Sequence, residues 1–236
     1  MDRVERIREI DALISSGDYD SALGLLEDLE KEMREEGGSP QLFSVLWRKG
    51  WILYRKRDLR GALESLVEAA DLLPLESLTP SLLYRMVFVL STAGAVAHEM
   101  KEFERAVEYH RRAIDILESI GEHLPPDRFY VDTVRLRNNL ANSLVGMGKF
   151  SEAEETYLSA LSLIDSVEVK GNVLHLKADL LYNLGSLYYY LNDVKAACRM
   201  WREASILYDT LCREQGDEVF CRNAGKLSSS LEMNCS

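Results

Sequence analysis

The chain has 236 residues, 47% of them hydrophobic, with 28 basic and 39 acidic side chains giving a formal net charge of −11. That is ample for a core in one extended domain or two small ones, while the net negative field opposes nucleic acid or an anionic membrane except at a local basic patch. The charged start MDRVERIREIDALI lacks a signal-peptide stretch, and no apolar run is expected to approach the roughly 18 to 20 residues of a membrane span, so a cytoplasmic chain is expected.

Apolar residues return at helical spacing nearly throughout, broken by only five prolines and fourteen glycines, which predicts an all-helical protein. Five short elbows then recur in chain order: GDYDSA ending at Ala22, RDLRGA at Ala62, KEFERA at Ala106, GKFSEA at Ala153 and NDVKAA at Ala197. Twelve residues before each alanine stands a small residue or its substitute: Ile10, Gly50, Gly94, Ala141 and Gly185. Nine before stand Leu13, Leu53, Ala97, Leu144 and Tyr188, and four after stand Leu26, Leu66, His110, Tyr157 and Trp201. Glycine inside a helix costs about 1 kcal/mol against alanine, so Gly185 predicts close approach of a second helix. The helix pairs fall at about 3–38, 41–76, 80–121, 127–167 and 172–212. Prolines and capping residues in LPLESLTPS and SIGEHLPPD mark new helix starts. At 217–233, Phe220, Ala224, Leu227 and Leu231 share one face of a final helix, read as a cap that ends the stack with a polar outer face.

The run Leu181-x-x-Leu184-Gly185-x-x-Tyr188, followed by Ala197-x-x-x-Trp201, resembles the tetratricopeptide repeat. The elbow alanines are 40, 44, 47 and 44 residues apart, longer than the family's roughly 34. The fourth repeat, RLRNNLANSLVGMGKFSEAEETYLSALSLI, is similar to the longer repeats of kinesin light chains. The resemblance covers about residues 3 to 212 and is weakest in the first repeat, where Ile10 replaces the small residue and Arg6 stands in an apolar position. It implies an all-α solenoid, a right-handed superhelix of five hairpins plus a cap, whose inner groove is lined by the first helix of each pair.

On those first helices, the stripe that avoids the packing positions comprises Ser44, Trp47, Trp51 and Tyr54, then Phe88, Ser91, Ala95 and His98. It continues with Arg135, Asn138, Asn142 and Val145, then Asp179, Tyr182, Ser186 and Tyr189, with Asn139 and Asn183 at its edge. Asparagine is a mediocre helix former, but its amide offers donors and acceptors and can hold a peptide main chain. The resemblance to kinesin-light-chain and chaperone-binding relatives implies that role for Asn138, Asn142 and Asn183; hydrogen bonding to neighbouring helices is the alternative. Asn138 stands where relatives that bind acidic chaperone tails carry a lysine, and Asp179 adds negative charge, so a carboxylate clamp is not expected. Trp47, Trp51 and Tyr54, with Arg48 and Arg55 beside them, suit an aromatic or acidic anchor residue or pack against the first repeat. Lys56, Arg57 and Arg60 read as a solvated cluster.

Catalytic signatures do not emerge. GMGKF at 146–150 lacks the first glycine and the hydroxyl residue of a phosphate loop, and HEM at 98–100 lacks a second zinc histidine. Cys198, Cys212, Cys221 and Cys235 form no C-x-x-C pair, and are read as free thiols; the sequon at Asn234 reads as chance. The chain is therefore expected to be a protein-interaction scaffold or adaptor that binds a partner's peptide segment, with no metal, cofactor, nucleic acid or membrane. Trp47, Arg48, Trp51, Tyr54, Arg135, Asn138, Asn142, Tyr182, Asn183 and Tyr189 are its binding candidates. Self-association into a homodimer and a peptide-responsive regulatory subunit are the competing readings.

Overall fold

The structure, a computed structural model, describes residues 2–36, 41–73, 78–166 and 173–235. The edges of the expected repeats at 37–38, 74–76, 167 and 172, and the middle of the LPLESLTPS connection, lie outside the described residues.

Five left-handed residues set the helix pairs. Gly17, Arg57, Lys101, Gly148 and Asn192 have φ between 63° and 82°, and each stands five residues before its elbow alanine. The N–H of the next residue donates back to the carbonyl of Leu13, Leu53, Ala97, Leu144 or Tyr188, each at 2.9 Å. This closes the first helix with a Schellman-type cap. The residue that donates then starts the second helix. Asp18, Asp58 and Asp193 accept from the N–H of Ser21, Gly61 and Ala196 at 3.2, 3.0 and 3.0 Å, satisfying a donor that helix geometry leaves orphaned.

The resulting helices are α1 (Arg3–Ser16), α2 (Tyr19–Glu35), α3 (Leu42–Arg55), α4 (Leu59–Asp71), α5 (Pro80–Glu99), α6 (Phe103–Ser119), α7 (Pro126–Gly146), α8 (Phe150–Ser166), α9 (Leu174–Tyr190), α10 (Val194–Gln215) and α11 (Glu218–Asn234). Pro80 and Pro126 sit in the first turns of α5 and α7, and Thr79 caps α5 through the Leu82 N–H. The fold is all-α, with each helix packed on its sequence neighbour within two compact units, Met1–Ile120 and Gly121–Ser236. The first unit holds α1 to α6; the second holds α7 to α11.

Inside four of the five pairs, from α3–α4 to α9–α10, a small residue receives a large one; in α1–α2 Ile10 stands at that position. A Cβ built on Gly50 would lie 2.6 Å from Leu66 Cγ, one on Gly94 2.5 Å from the His110 ring, and one on Gly185 2.6 Å from Trp201 Cδ1. Ala141 and Tyr157 fill the corresponding positions of α7 and α8, both buried. Gly185 therefore opposes its own helix propensity because the indole of Trp201 occupies the space of a methyl group.

The cysteines, expected as free thiols, are paired instead: Cys198 bonds to Cys235 and Cys212 to Cys221, joining α10 and α11. The expectation that no apolar run approaches a membrane span is also corrected, because α5 is long and apolar enough to cross a bilayer by length and composition. Its Met86, Val89, Leu90, Ala93, Val96 and Ala97 are buried in the first unit's core.

Gly185→Ala should lose about 2 kcal/mol of stability, since overpacking exceeds the propensity gain of about 1 kcal/mol. In a Trp201→Leu background the same change should be neutral or stabilising; equal losses in urea titrations of both backgrounds would remove the steric explanation. Lys101→Gly should stabilise by about 0.5–1 kcal/mol, because a lysine held at φ 64° is strained, and a lower urea midpoint would contradict this. Burial depresses the His110 pKa to about 4, so the folded state takes up its proton later than the unfolded chain. Stability is then full above the ordinary histidine pKa and falls with pH, losing about 2 kcal/mol by pH 5. His98, depressed by the same cause, adds in the same sense. Unfolding midpoints at pH 7.5 and 5 in wild type and His110→Gln check this: the variant should lose most of the difference.

Candidate functional site

In the first unit, the aromatic and basic candidates on α3 are engaged internally. Arg48 is only 5% exposed. Its Nε and Nη2 donate to the two carboxylate oxygens of Asp11 on α1 at 2.7 and 2.9 Å, and its Nη1 donates to Ser44. A buried guanidinium is tolerated only when so paired, so the expectation that Arg48 receives an acidic anchor is corrected. Trp47 lies edge-on to Phe88, with Arg48 4.5 Å from its ring centre, and its buried indole N–H has no acceptor among the described residues. Trp51 packs edge-on to Tyr19 and beneath Arg55. The Tyr54 hydroxyl donates to Glu99 at 2.6 Å, and burial, reinforced by that carboxylate, pushes its pKa up to about 12. Arg57 joins Glu99 at 2.6 Å, and Lys56 pairs with Asp20, so this part of the basic run ties elbows to neighbouring helices.

The second unit places its candidates differently. Asn138 on α7 and Asn183 on α9 meet across the helix boundary: Asn183 Nδ2 donates to Asn138 Oδ1 at 3.0 Å. The pair leaves the NH₂ of Asn138 and the carbonyl of Asn183 without partners among the described residues. Asn142 Oδ1 accepts from the buried Tyr157 hydroxyl, which fixes the amide plane and turns its donors away from α8. Arg135 is exposed and bonded to Asp132 one turn back. Asp179 is not a free negative charge: it accepts from Tyr208, and desolvation raises its pKa despite that hydrogen bond.

Tyr182 and Tyr189, seven residues apart on α9, are each 43% exposed. Trp201 stands behind both, donating its indole N–H to the Tyr182 carbonyl at 3.3 Å and stacking at a tilt against Tyr189 with ring centres 5.3 Å apart. The Tyr189 hydroxyl donates to Asn234 of α11 at 3.0 Å. α7 and α9 thus present two rigid aromatic surfaces beside an amide pair that retains one donor group and one acceptor.

Sequence reasoning missed the cysteine pairing and the Asp11–Arg48 bond. The first had a readable signal, because fourteen residues separate Cys198 from Cys212 and also Cys221 from Cys235, a spacing that returns to nearly the same helix face. The second had none, since its partners are 37 residues apart.

The sequence profile of a tetratricopeptide repeat matches residues 133–164, which span most of α7 and α8. No curated protein matches the sequence itself. Among solved structures, MamA from Desulfovibrio magneticus RS-1 (residues 41 to the end) is similar at TM-score 0.65 and 16% identity, over 89% of this chain and 97% of that one. A putative kinesin light chain from Podosopora anserina with nearly identical TPR-like repeats gives 0.66 and 14% over 90% and 96%. YrrB, described as a TPR protein with an unusual peptide-binding site, gives 0.60 and 16% over 95% and 92%. One tetratricopeptide repeat is thus matched by sequence at residues 133–164, and the chain as a whole shares the all-α, pairwise-packed fold of these structures.

Proposed function

We propose that this protein is a non-catalytic interaction scaffold that holds a peptide segment of a protein partner on the α7–α9 face of its second unit. The observation that carries the reading is the Asn138–Asn183 amide pair beside the exposed Tyr182 and Tyr189. Its NH₂ and carbonyl, without partners among the described residues, match the alternating acceptors and donors of an extended main chain. The peptide-binding site ascribed to YrrB, a protein of similar fold, supports the same class of ligand.

The energetics are compatible with a transient partner. A hydrogen bond contributes on the order of 1 kcal/mol net, and burying an aromatic side chain about 1.5–3 kcal/mol. Two or three amide bonds plus Tyr182 and Tyr189 then approach the roughly 8 kcal/mol of a micromolar complex. Trp47, Arg48, Trp51 and Tyr54 contribute to the first unit's packing in this reading, and Arg135 lies beside the face as an exposed cation.

The test is a pull-down from the source cell with wild type and an Asn138→Ala/Asn183→Ala variant, followed by titration of the identified partner's segment. Loss of at least tenfold in affinity, at unchanged helicity and unfolding midpoint, is expected, and Tyr182→Ala should lose a similar amount. Equal retention of the same partners by wild type and both variants would move recognition off this face. Light scattering separates the remaining occupant: a dimer dissolved by Tyr182→Ala would make the bound segment a second copy of this chain.

A further inference from the structure

α10 and α11 run antiparallel and are joined at both ends of their contact. Cys212–Cys221 lies beside the turn at Gly216, and Cys198–Cys235 closes the open end. The surroundings of the two bonds differ. Cys198–Cys235 belongs to the wall of a surface depression of about 590 Å³ also lined by Asp193, Val194, Lys195, Arg199, Arg202 and Asn234. Asp193 is turned to the helix start, where it caps α10. Lys195, Arg199 and Arg202 are exposed, lie on one side of α10 and form no ion pair among the described residues; Arg202 donates to the Cys235 carbonyl at 3.0 Å. In a chain with net charge −11, three cations against the single carboxylate of Asp193 around a disulfide are a local reversal of sign.

We propose that Cys198–Cys235 is a thiol–disulfide exchange site selective for anionic thiols, with Lys195, Arg199 and Arg202 as the recognition rim. Cys198 is buried at 5% exposure and Cys235 is the more exposed partner, so the incoming thiolate attacks Cys235 Sγ. A bond forms between that sulfur and the thiol, the Cys198–Cys235 bond breaks, and Cys198 leaves as a thiolate that the adjacent cations stabilise. A second thiolate then attacks the small thiol's sulfur in the mixed disulfide and frees Cys235. Two thiols become one small disulfide, and their two electrons reduce the protein bond, with two protons taken up by the released cysteines. The cations act twice, by raising the local concentration of an anionic attacker and by favouring the leaving thiolate.

Opening this end releases Asn234, which accepts from Tyr189. That exchange thereby alters the α7–α9 face rests on the function proposed above; the exchange chemistry does not. The experiment is accordingly free of any partner.

Full-length oxidised protein is treated with mercaptoethanesulfonate, an anionic thiol, or cysteamine, a cationic one, at matched thiolate concentration, then acid-quenched, alkylated and mapped by mass spectrometry. Cys212–Cys221 serves as the internal reference. Cys198–Cys235 should open first, and its rate ratio between the two thiols should exceed that of the reference bond by about tenfold. The excess should collapse in 1 M salt, where the screening length is about 3 Å, and in Lys195→Glu/Arg199→Glu. Should that variant fail to fold, the salt dependence of the wild type decides alone. Equal charge selectivity at the two bonds, prior opening of Cys212–Cys221, or native protein in which all four cysteines alkylate without reductant would overturn the proposal.

Discussion

The left-handed residue at each elbow is the constraint from which the rest of the packing follows. A Schellman-type cap reverses the chain within three or four residues, and it does so at one fixed distance from the elbow alanine in all five pairs. That fixed distance is what aligns the residue twelve before the alanine with the residue four after it. Where the later residue is an indole or imidazole, the earlier one has to be glycine, as Gly185 beneath Trp201 and Gly94 beneath His110 show. The backbone turn and the side-chain groove are therefore one device, because shifting the elbow by a residue would rotate the second helix by about 100° and carry Trp201 or His110 off its glycine.

This geometry divides the aromatic residues into two kinds. Within the second helices, Tyr157, Trp201 and Tyr208 point into the pair and are buried, while Tyr19, Phe103 and Phe150 at the helix starts are half-buried. Those on the first helices meet whatever the next helix pair offers. In the first unit neighbours engage several of them: Trp47 meets Phe88, Trp51 meets Tyr19 and Tyr54 finds Glu99, while Phe88 itself stays 44% exposed. On α9 they meet α10 behind and the end of α11 beside, so Tyr182 and Tyr189 keep a solvent-facing surface on a rigid base. A surface that is apolar, fixed in place and flanked by unfilled amide positions loses little conformational entropy on binding.

The α10–α11 hairpin gives the second unit a different kind of ending. α11 packs chiefly on α10, with His175 and Tyr189 of α9 reaching Phe220 and Asn234, and it buries only Ala224 and Leu227 fully. Two covalent links add to that packing by limiting the unfolded ensemble, with stabilisation that rises with the loop they close. Disulfides persist in oxidising surroundings and are rare where thiol buffers keep cysteines reduced. Around Cys198–Cys235 the covalent link also has an electrostatic setting of its own, because Lys195 and Arg199 line the same depression in an otherwise acidic protein.

The helical period, the five elbows and the small-to-large pairing were legible in the sequence because each is local, set by residues within about sixteen positions of one another. So was the side of α7 and α9 that avoids the packing positions. The fate of individual side chains was not legible. Arg48 and Tyr182 occupy comparable stripe positions, yet one is buried by an aspartate 37 residues away and the other is left open. The cysteines were read as unpaired although their symmetric spacing already placed them on matching helix faces; only the antiparallel docking of α11 on α10 brings Cys198 to Cys235 across 37 residues. The sequence by itself determined the repeat, since backbone turns and helix faces depend on near neighbours. Tertiary structure decided which polar and aromatic groups remain available, since that depends on which distant carboxylate, amide or sulfur the packing delivers to them.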